Sequence, residues 1–246
     1  MADDPLLLWP AWPAPGNVRA CMSTRLGGVS EGAYASLNLG LHSGDAPTRV
    51  QENRKRLMHA AAVPTEPRWL KQVHGTHVEA AHTLDAGATP EADGTWTDRA
   101  QVPCVVMAAD CLPVLLAHRD GTAVAAVHAG WRGLAAGVLE AGLAALPGNA
   151  RDYIAWLGAR IGPQAFVVRE DVRAAFQGQN DEAAFEALAG GQWRADLGRL
   201  AALRLRAQGV AVYDSGLCTA SDPEHYFSHR RDGKCGRMAA LIWRAH

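Results

Sequence analysis

The sequence predicts an α/β domain of layered sheets and helices, on three observations. Short apolar runs interleave with longer Ala/Leu-rich segments along its second half. Of the 246 residues, 48% are apolar and 20% charged, a balance that supports a sizeable buried core. No Ser/Gly linker, charge block or internal repeat divides the chain, so one domain over 1–246 is expected.

The elements are expected as follows. Gly27-Gly28, Gly40, Gly44, Pro64, Pro67 and Gly75 punctuate the first hundred residues, which read as loops and short strands. The apolar runs 102–107 and 122–127 suit buried strands, and 134–146 is long enough for a helix. Then come a strand at 153–157, a short helix at 170–176, and a helix at 196–207 with Asp196 as its N-cap. Strands at 210–213 and 238–243 complete the pattern.

Charge and cysteine usage exclude several function classes. The formal net charge is -1, and no Lys/Arg cluster is long enough to lie along phosphate backbones or anionic lipid. Neither nucleic acid nor a membrane is expected as partner. Leu6, Leu7, Leu8 and Trp9 are stopped by Pro10, too short a run for a signal segment, and no stretch reaches the roughly 18 apolar residues of a membrane span. The five cysteines form no C-x-x-C pair, which places the protein in the reducing cytoplasm rather than among disulfide-built secreted domains.

Two strand ends carry chemistry. Val105-Val106-Met107-Ala108-Ala109 runs into Asp110-Cys111, and Val124-Ala125-Ala126-Val127 runs into His128-Ala129-Gly130. Ligands gather where the strands of a layered α/β fold stop, so Cys111 and His128 can face one pocket if the two strands are neighbours. Lys71-Gln72-Val73-His74-Gly75-Thr76-His77 offers a third donor, with His77 as the rival to His74. Two imidazoles and a thiolate suit zinc and leave a fourth position for water or substrate. The alternative is that Cys111 is a small core residue and His128 a satisfied buried histidine. Ala129-Gly130-Trp131-Arg132-Gly133-Leu134 then opens a helix in which free N–H groups and Arg132 could take phosphate, unless the glycines only permit close packing. Arg25-Leu26-Gly27-Gly28-Val29-Ser30 carries the same ambiguity. Tyr226-Phe227-Ser228-His229-Arg230-Arg231-Asp232-Gly233 reads as a turn with solvated charges.

At these residues the sequence resembles the YfiH family, also called the laccase-domain or polyphenol oxidase family, over most of its length. The resemblance is carried by Arg25-Leu26-Gly27-Gly28-Val29-Ser30, Ser36-Leu37-Asn38-Leu39-Gly40, Asn53-Arg54, Gln72-Val73-His74-Gly75 and Ala92-Asp93-Gly94. It continues through Ala109-Asp110-Cys111-Leu112-Pro113-Val114-Leu115-Leu116, Val127-His128-Ala129-Gly130-Trp131-Arg132-Gly133, Ile161-Gly162-Pro163, Cys218-Thr219 and Arg230-Arg231-Asp232-Gly233. It implies layered mixed sheets flanked by helices, αββα-like and related to the cytotoxic necrotising factor hydrolases. It also implies a zinc site at His74, Cys111 and His128, which would be the catalytic residues as well. One departure is Gln164-Ala165, where many relatives carry Cys after Ile-Gly-Pro.

The implied activities are phosphorolysis of adenosine, inosine, guanosine and methylthioadenosine, and deamination of adenosine. The partners are then a nucleoside and phosphate. Arg25, Asn38 and Arg132 are the expected substrate-binding side chains, and Asp110 and His77 are candidates for proton transfer. A copper-dependent polyphenol oxidoreductase is a rival function, but none of the ten histidines forms the His-x-His pairs that multicopper oxidases use. A cysteine hydrolase with Cys111 as nucleophile and His128 as base is another. A peptidoglycan editing factor acting on a muropeptide precursor is a third, and a non-catalytic binding module would leave the three donors unexplained.

Overall fold

The computed structural model describes residues 5–176 and 181–245. In chain order the first elements are β1 (Leu7–Leu8), β2 (Val18–Ser23), α1 (Pro47–Ala60), β3 (Val78–Ala80), β4 (Gly94–Thr97), β5 (Cys104–Ala108) and β6 (Leu112–His118). There follow β7 (Val124–Ala129), α2 (Trp131–Ala136), α3 (Val138–Ala145), β8 (Tyr153–Leu157), β9 (Val167–Arg169) and α4 (Glu170–Ala174). The last are β10 (Phe185–Leu188), β11 (Gln192–Ala195), α5 (Leu197–Ala207), β12 (Ala211–Asp214), α6 (His229–Asp232) and β13 (Met238–Arg244).

The layers follow from strands that are apolar on both faces. Successive residues of β6 point to opposite sides. Leu112, Val114 and Leu116 meet Leu134, Val138, Leu139, Leu200 and Leu205 of α2, α3 and α5, while Leu115 and Ala117 face the other way. β6 lies inside a six-stranded sheet of order β12-β8-β6-β7-β4-β3. Its inner face packs on a four-stranded sheet, β1-β2-β13-β5, with Met22, Val106, Ala240 and Ile242 against Leu115, Val124, Ala126 and Trp156. The outer face of the four-stranded sheet, through Cys21, Val105, Leu241 and Trp243, is closed by Leu37, Leu39, Trp69 and Leu57 of α1. A small antiparallel sheet, β10-β11-β9, stands apart. Helix, sheet, sheet, helix is the expected αββα layering.

Helix α1 departs from the reading of the first hundred residues as loops and strands. Its buried positions, Val50, Asn53, Arg54 and Leu57, have helical spacing, but two of them are polar, so apolar periodicity is muted. Those polar groups are satisfied across the loop 28–40. The Asn53 side chain pairs with Val29, Ser30, Ser36 and Asn38, and the Arg54 guanidinium lies 3.7 Å over the Trp69 ring while Nε donates to the Leu39 carbonyl. The helix expected at 134–146 is interrupted by Gly137, whose φ of 95° ends α2 and starts α3. Asp196 is the N-cap expected of it, accepting from the Arg199 N–H at 3.0 Å.

Candidate metal centre

The two strand ends do meet, by a route the sequence did not specify. β5 and β7 lie in different sheets. The chain passes from one sheet to the other at Asp110-Cys111 and continues as β6, which pairs antiparallel with β7 so that Pro113 faces His128 and Leu112 faces Ala129. Cys111 is thereby set beside His128. Asp110 turns the corner in the left-handed region, at φ 85°.

His74 reaches the same point from a loop, not from the end of a strand, and also has positive φ, 61°. Such backbone costs roughly 1–3 kcal/mol and persists only where its surroundings impose it. Here Asp93 imposes it. Its carboxylate, wholly buried, accepts from the N–H groups of Val73 (3.3 Å), His74 (2.9 Å) and Gly75 (2.6 Å). The same carboxylate lies 2.8 Å from His128 Nδ1, so that nitrogen carries the proton and Nε2 is left for a ligand. Asp93 thus positions two of the three donor side chains, a role that sequence reasoning missed although it lies in the Ala92-Asp93-Gly94 block.

The ligand atoms of His74, Cys111 and His128 all lie within 4.8 Å of one another. Cys111 Sγ is 3.7 Å from His74 Nε2, and the two imidazole rings stand edge to face at 4.9 Å. A β-carbon at Gly130 would come within 2.7 Å of the His74 ring and 3.2 Å of the Cys111 sulfur, and one at Gly133 within 2.7 Å of the Gly75 carbonyl. These glycines therefore serve the close packing of α2 on the donor loop. Burial alone would raise the Cys111 pKa, but the neighbouring charge of His128 and hydrogen bonds with His128 and His74 outweigh it and bring the thiol down to about 6. Burial opposes charge on His128 too, yet the Cys111 thiolate and the Asp93 hydrogen bond carry it up to about 9. The preferred state is thiolate beside imidazolium. A metal ion would displace the imidazolium proton and keep the thiolate. Two imidazoles and one thiolate in this cradle fit a borderline-soft divalent ion with one position open. Among the described residues this is the one group of three or more such donors, which a four-copper centre would not fit.

The triad lies in the lining of a cavity of about 720 Å³. Trp131, Phe166, Ile161 and Leu197 give it an apolar wall, and Arg132, Arg230 and Arg237 give it positive charge. Arg132 stacks at 4.3 Å over Trp131 and makes no hydrogen bond among the described residues, so its guanidinium is free for a ligand.

The other expected site residues are placed differently. Arg25 does not line the cavity; its guanidinium packs on Phe227 and donates to the carbonyls of Ala35 and Pro223. Asn38 is fully buried and joins Ser43, Asp45, Gly40 and Arg237 as the pin of a loop. The Asn38 amide is fully paired within the protein, and Arg25 is held outside the cavity by Nε and Nη1. His77 is turned to solvent against Glu79, outside the cavity. Asp110 does line the cavity, but each carboxylate oxygen already accepts a bond at 2.6 Å, from Thr219 Oγ1 and from the Arg230 N–H, which disfavours proton transfer through it.

A family model described as multi-copper polyphenol oxidoreductase laccase matches residues 19–245. A purine nucleoside phosphorylase of Pseudomonas aeruginosa is 49% identical over 240 residues, covering 96% of this chain and 97% of its own. Purine nucleoside phosphorylase YfiH of Escherichia coli is 47% identical over 239 residues, with 96% and 98% covered. Among solved structures, a Neisseria meningitidis protein superposes with a TM-score of 0.94 at 46% identity, covering 98% of this chain and 100% of its own. YlmD from Geobacillus stearothermophilus gives 0.90 at 33%, with 98% and 96% covered.

Proposed function

The chain belongs to the family described as multi-copper polyphenol oxidoreductase laccase, and we propose that within it this chain is a zinc-dependent purine nucleoside phosphorylase that also deaminates adenosine. The observation that carries the reading is the convergence of His74, Cys111 and His128 in a cavity that pairs an apolar aromatic wall with free arginine. Relatives named purine nucleoside phosphorylase, matched nearly end to end, support it.

Zinc held by these three side chains supplies Lewis-acid polarisation within the cavity. The protein's own groups do the rest. Asp93 holds the His128 proton on Nδ1 and fixes the His74 loop. The Trp131 and Phe166 wall offers a flat apolar surface for a purine ring, and Arg132 offers a guanidinium for phosphate. In phosphorolysis a phosphate oxygen bonds to the ribose C1' as the bond from C1' to the base breaks, and the base leaves with the proton that the phosphate gives up. In deamination water adds at C6 of adenine and ammonia departs. Adenosine, inosine, guanosine and methylthioadenosine all present the purine and the C1' bond that phosphorolysis needs, and adenosine also presents the C6 amine that deamination removes.

The thiolate–imidazolium pair oriented by Asp93 also favours a second reading, a cysteine hydrolase with Cys111 as nucleophile. Metal content and products separate the two. Purified protein is expected to hold about one zinc per chain. Inosine is expected to give hypoxanthine and ribose 1-phosphate only when phosphate is present, while adenosine gives inosine and ammonia without it. Free ribose as the sole sugar product, or copper in place of zinc, would overturn the proposal.

A further inference from the structure

The segment from Tyr226 to Gly233, which reads in the sequence as a solvated turn, contributes His229 and Arg230 of α6 to the cavity lining. The Arg230 backbone N–H donates to Asp110 Oδ2 at 2.6 Å. Asp110 directly precedes Cys111, so this bond ties α6 to the turn that carries a metal donor, across 120 residues of chain. The Arg230 side chain is braced on one edge only: Nη1 donates to the Val167 carbonyl at 2.8 Å and to that of Ala165 at 3.4 Å, and the guanidinium packs 5.3 Å from the Phe166 ring centre. Among the described residues neither Nε nor Nη2 of Arg230 has a hydrogen-bond partner. An arginine anchored on one side and open on the other presents a planar pair of donors, the arrangement that grips an oxyanion bidentately.

His229 is prepared as well. Its Nδ1 is 2.7 Å from the Gly233 carbonyl, an acceptor only, so Nδ1 carries the proton and Nε2 is free. Arg231 differs from its neighbour. Its guanidinium bonds the carbonyls of Thr219, Ala220 and Tyr226 and the Asp232 carboxylate, so it holds the fold together. The carboxylate lining the cavity, Asp110, takes Thr219 Oγ1 and the Arg230 backbone N–H and, among the described residues, makes no hydrogen bond to the Arg230 guanidinium.

We propose that Arg230, with Nε2 of His229, forms an oxyanion-binding group of this cavity in addition to Arg132, and that its ligand is the phosphate co-substrate. The proposal rests on the phosphorylase reading for the role of that phosphate. Arg230 takes two oxygens of the phosphate, and Nε2 of His229 hydrogen-bonds a third.

The test is titration of inorganic phosphate, with no nucleoside, into zinc-loaded wild type and Arg230→Gln, followed by calorimetry, with zinc content and the phosphate-free melting curve as controls. Glutamine keeps a polar stem over Phe166 and removes the charge. We expect phosphate to bind at least about tenfold more weakly, the loss of one charge-assisted interaction, with both controls at wild-type values. Wild-type phosphate affinity in Arg230→Gln overturns the proposal. Should that variant lose its cooperative melt, Arg230→Lys decides: it keeps the charge without the fork, so weakened binding supports the proposal and undiminished binding overturns it. If the wild type binds phosphate through Arg230 yet cleaves no inosine with it, the phosphorylase reading fails and the anion group stands; if the wild type binds no phosphate, the group itself is refuted.

Discussion

Replacing Asp93 with Asn tests how the donor set is held. The wild-type carboxylate, wholly buried, accepts from His74 N and His128 Nδ1 on one oxygen and from Val73 N and Gly75 N on the other. An amide can keep one of these oxygens, and its NH2 then faces two N–H donors with nothing to accept them. A donor left unpaired costs roughly 1–3 kcal/mol when buried, and the three backbone donors here are partly buried, so a loss toward the lower end of about 2–6 kcal/mol in stability is expected. The His74 turn, at φ 61°, loses the contacts that hold its strained backbone. Outer-shell partners of metal-binding histidines are worth typically 10- to 100-fold in metal affinity, about 1.4–2.7 kcal/mol, and this one serves two ligands. Zinc competition against a chromophoric chelator measures the affinity, and thermal melting of the metal-free protein measures the stability. Wild-type zinc affinity in Asp93→Asn, with the fold intact, would refute the reasoning, because His74 and His128 would then be held by something other than this carboxylate.

Three further predictions concern the cavity. Cys111→Ala should abolish zinc retention and activity while the protein still melts cooperatively, because Cys111 sits at the crossing between sheets and contributes to none of the three apolar clusters. In metal-free wild type, with the Cys111 pKa about 6, its alkylation rate should rise as pH climbs through 6 and level off above; a midpoint between 8 and 9 would mean that the pairing with His128 is absent. Arg132→Ala should raise the phosphate concentration needed for phosphorolysis by roughly 10- to 150-fold, the loss of about 1.5–3 kcal/mol in a charge-assisted hydrogen bond, with deamination falling less. An equal fall in both reactions would make Arg132 a support for the wall at Trp131.

The interleaved elements and the N-cap at Asp196 were legible in the sequence, and the candidate donor set His74, Cys111 and His128 was legible through its family motifs. Those features are local or carried by short motifs: a run of β-branched and small apolar residues ending in Asp110-Cys111 has its chemistry written at its end. Helix α1 escaped because Asn53 and Arg54 occupy its buried face, and their suitability there depends on the loop carbonyls and the Trp69 ring that meet them. Tertiary structure decided which polar residues serve the cavity. Asn38 and Arg25 sit in motifs as conspicuous as the one around Arg132, yet pairing within the fold uses up the Asn38 amide, Arg25 is held away from the cavity, and Arg132 is left open in its lining. Asp93 became the organiser of His74 and His128 through bonds spanning 19 and 35 residues, and Arg230 reached the cavity through one spanning 120. A side chain's type is fixed residue by residue, but whether its hydrogen bonds are satisfied by the protein or left for a ligand depends on sheet register and layer packing, which only the assembled chain supplies.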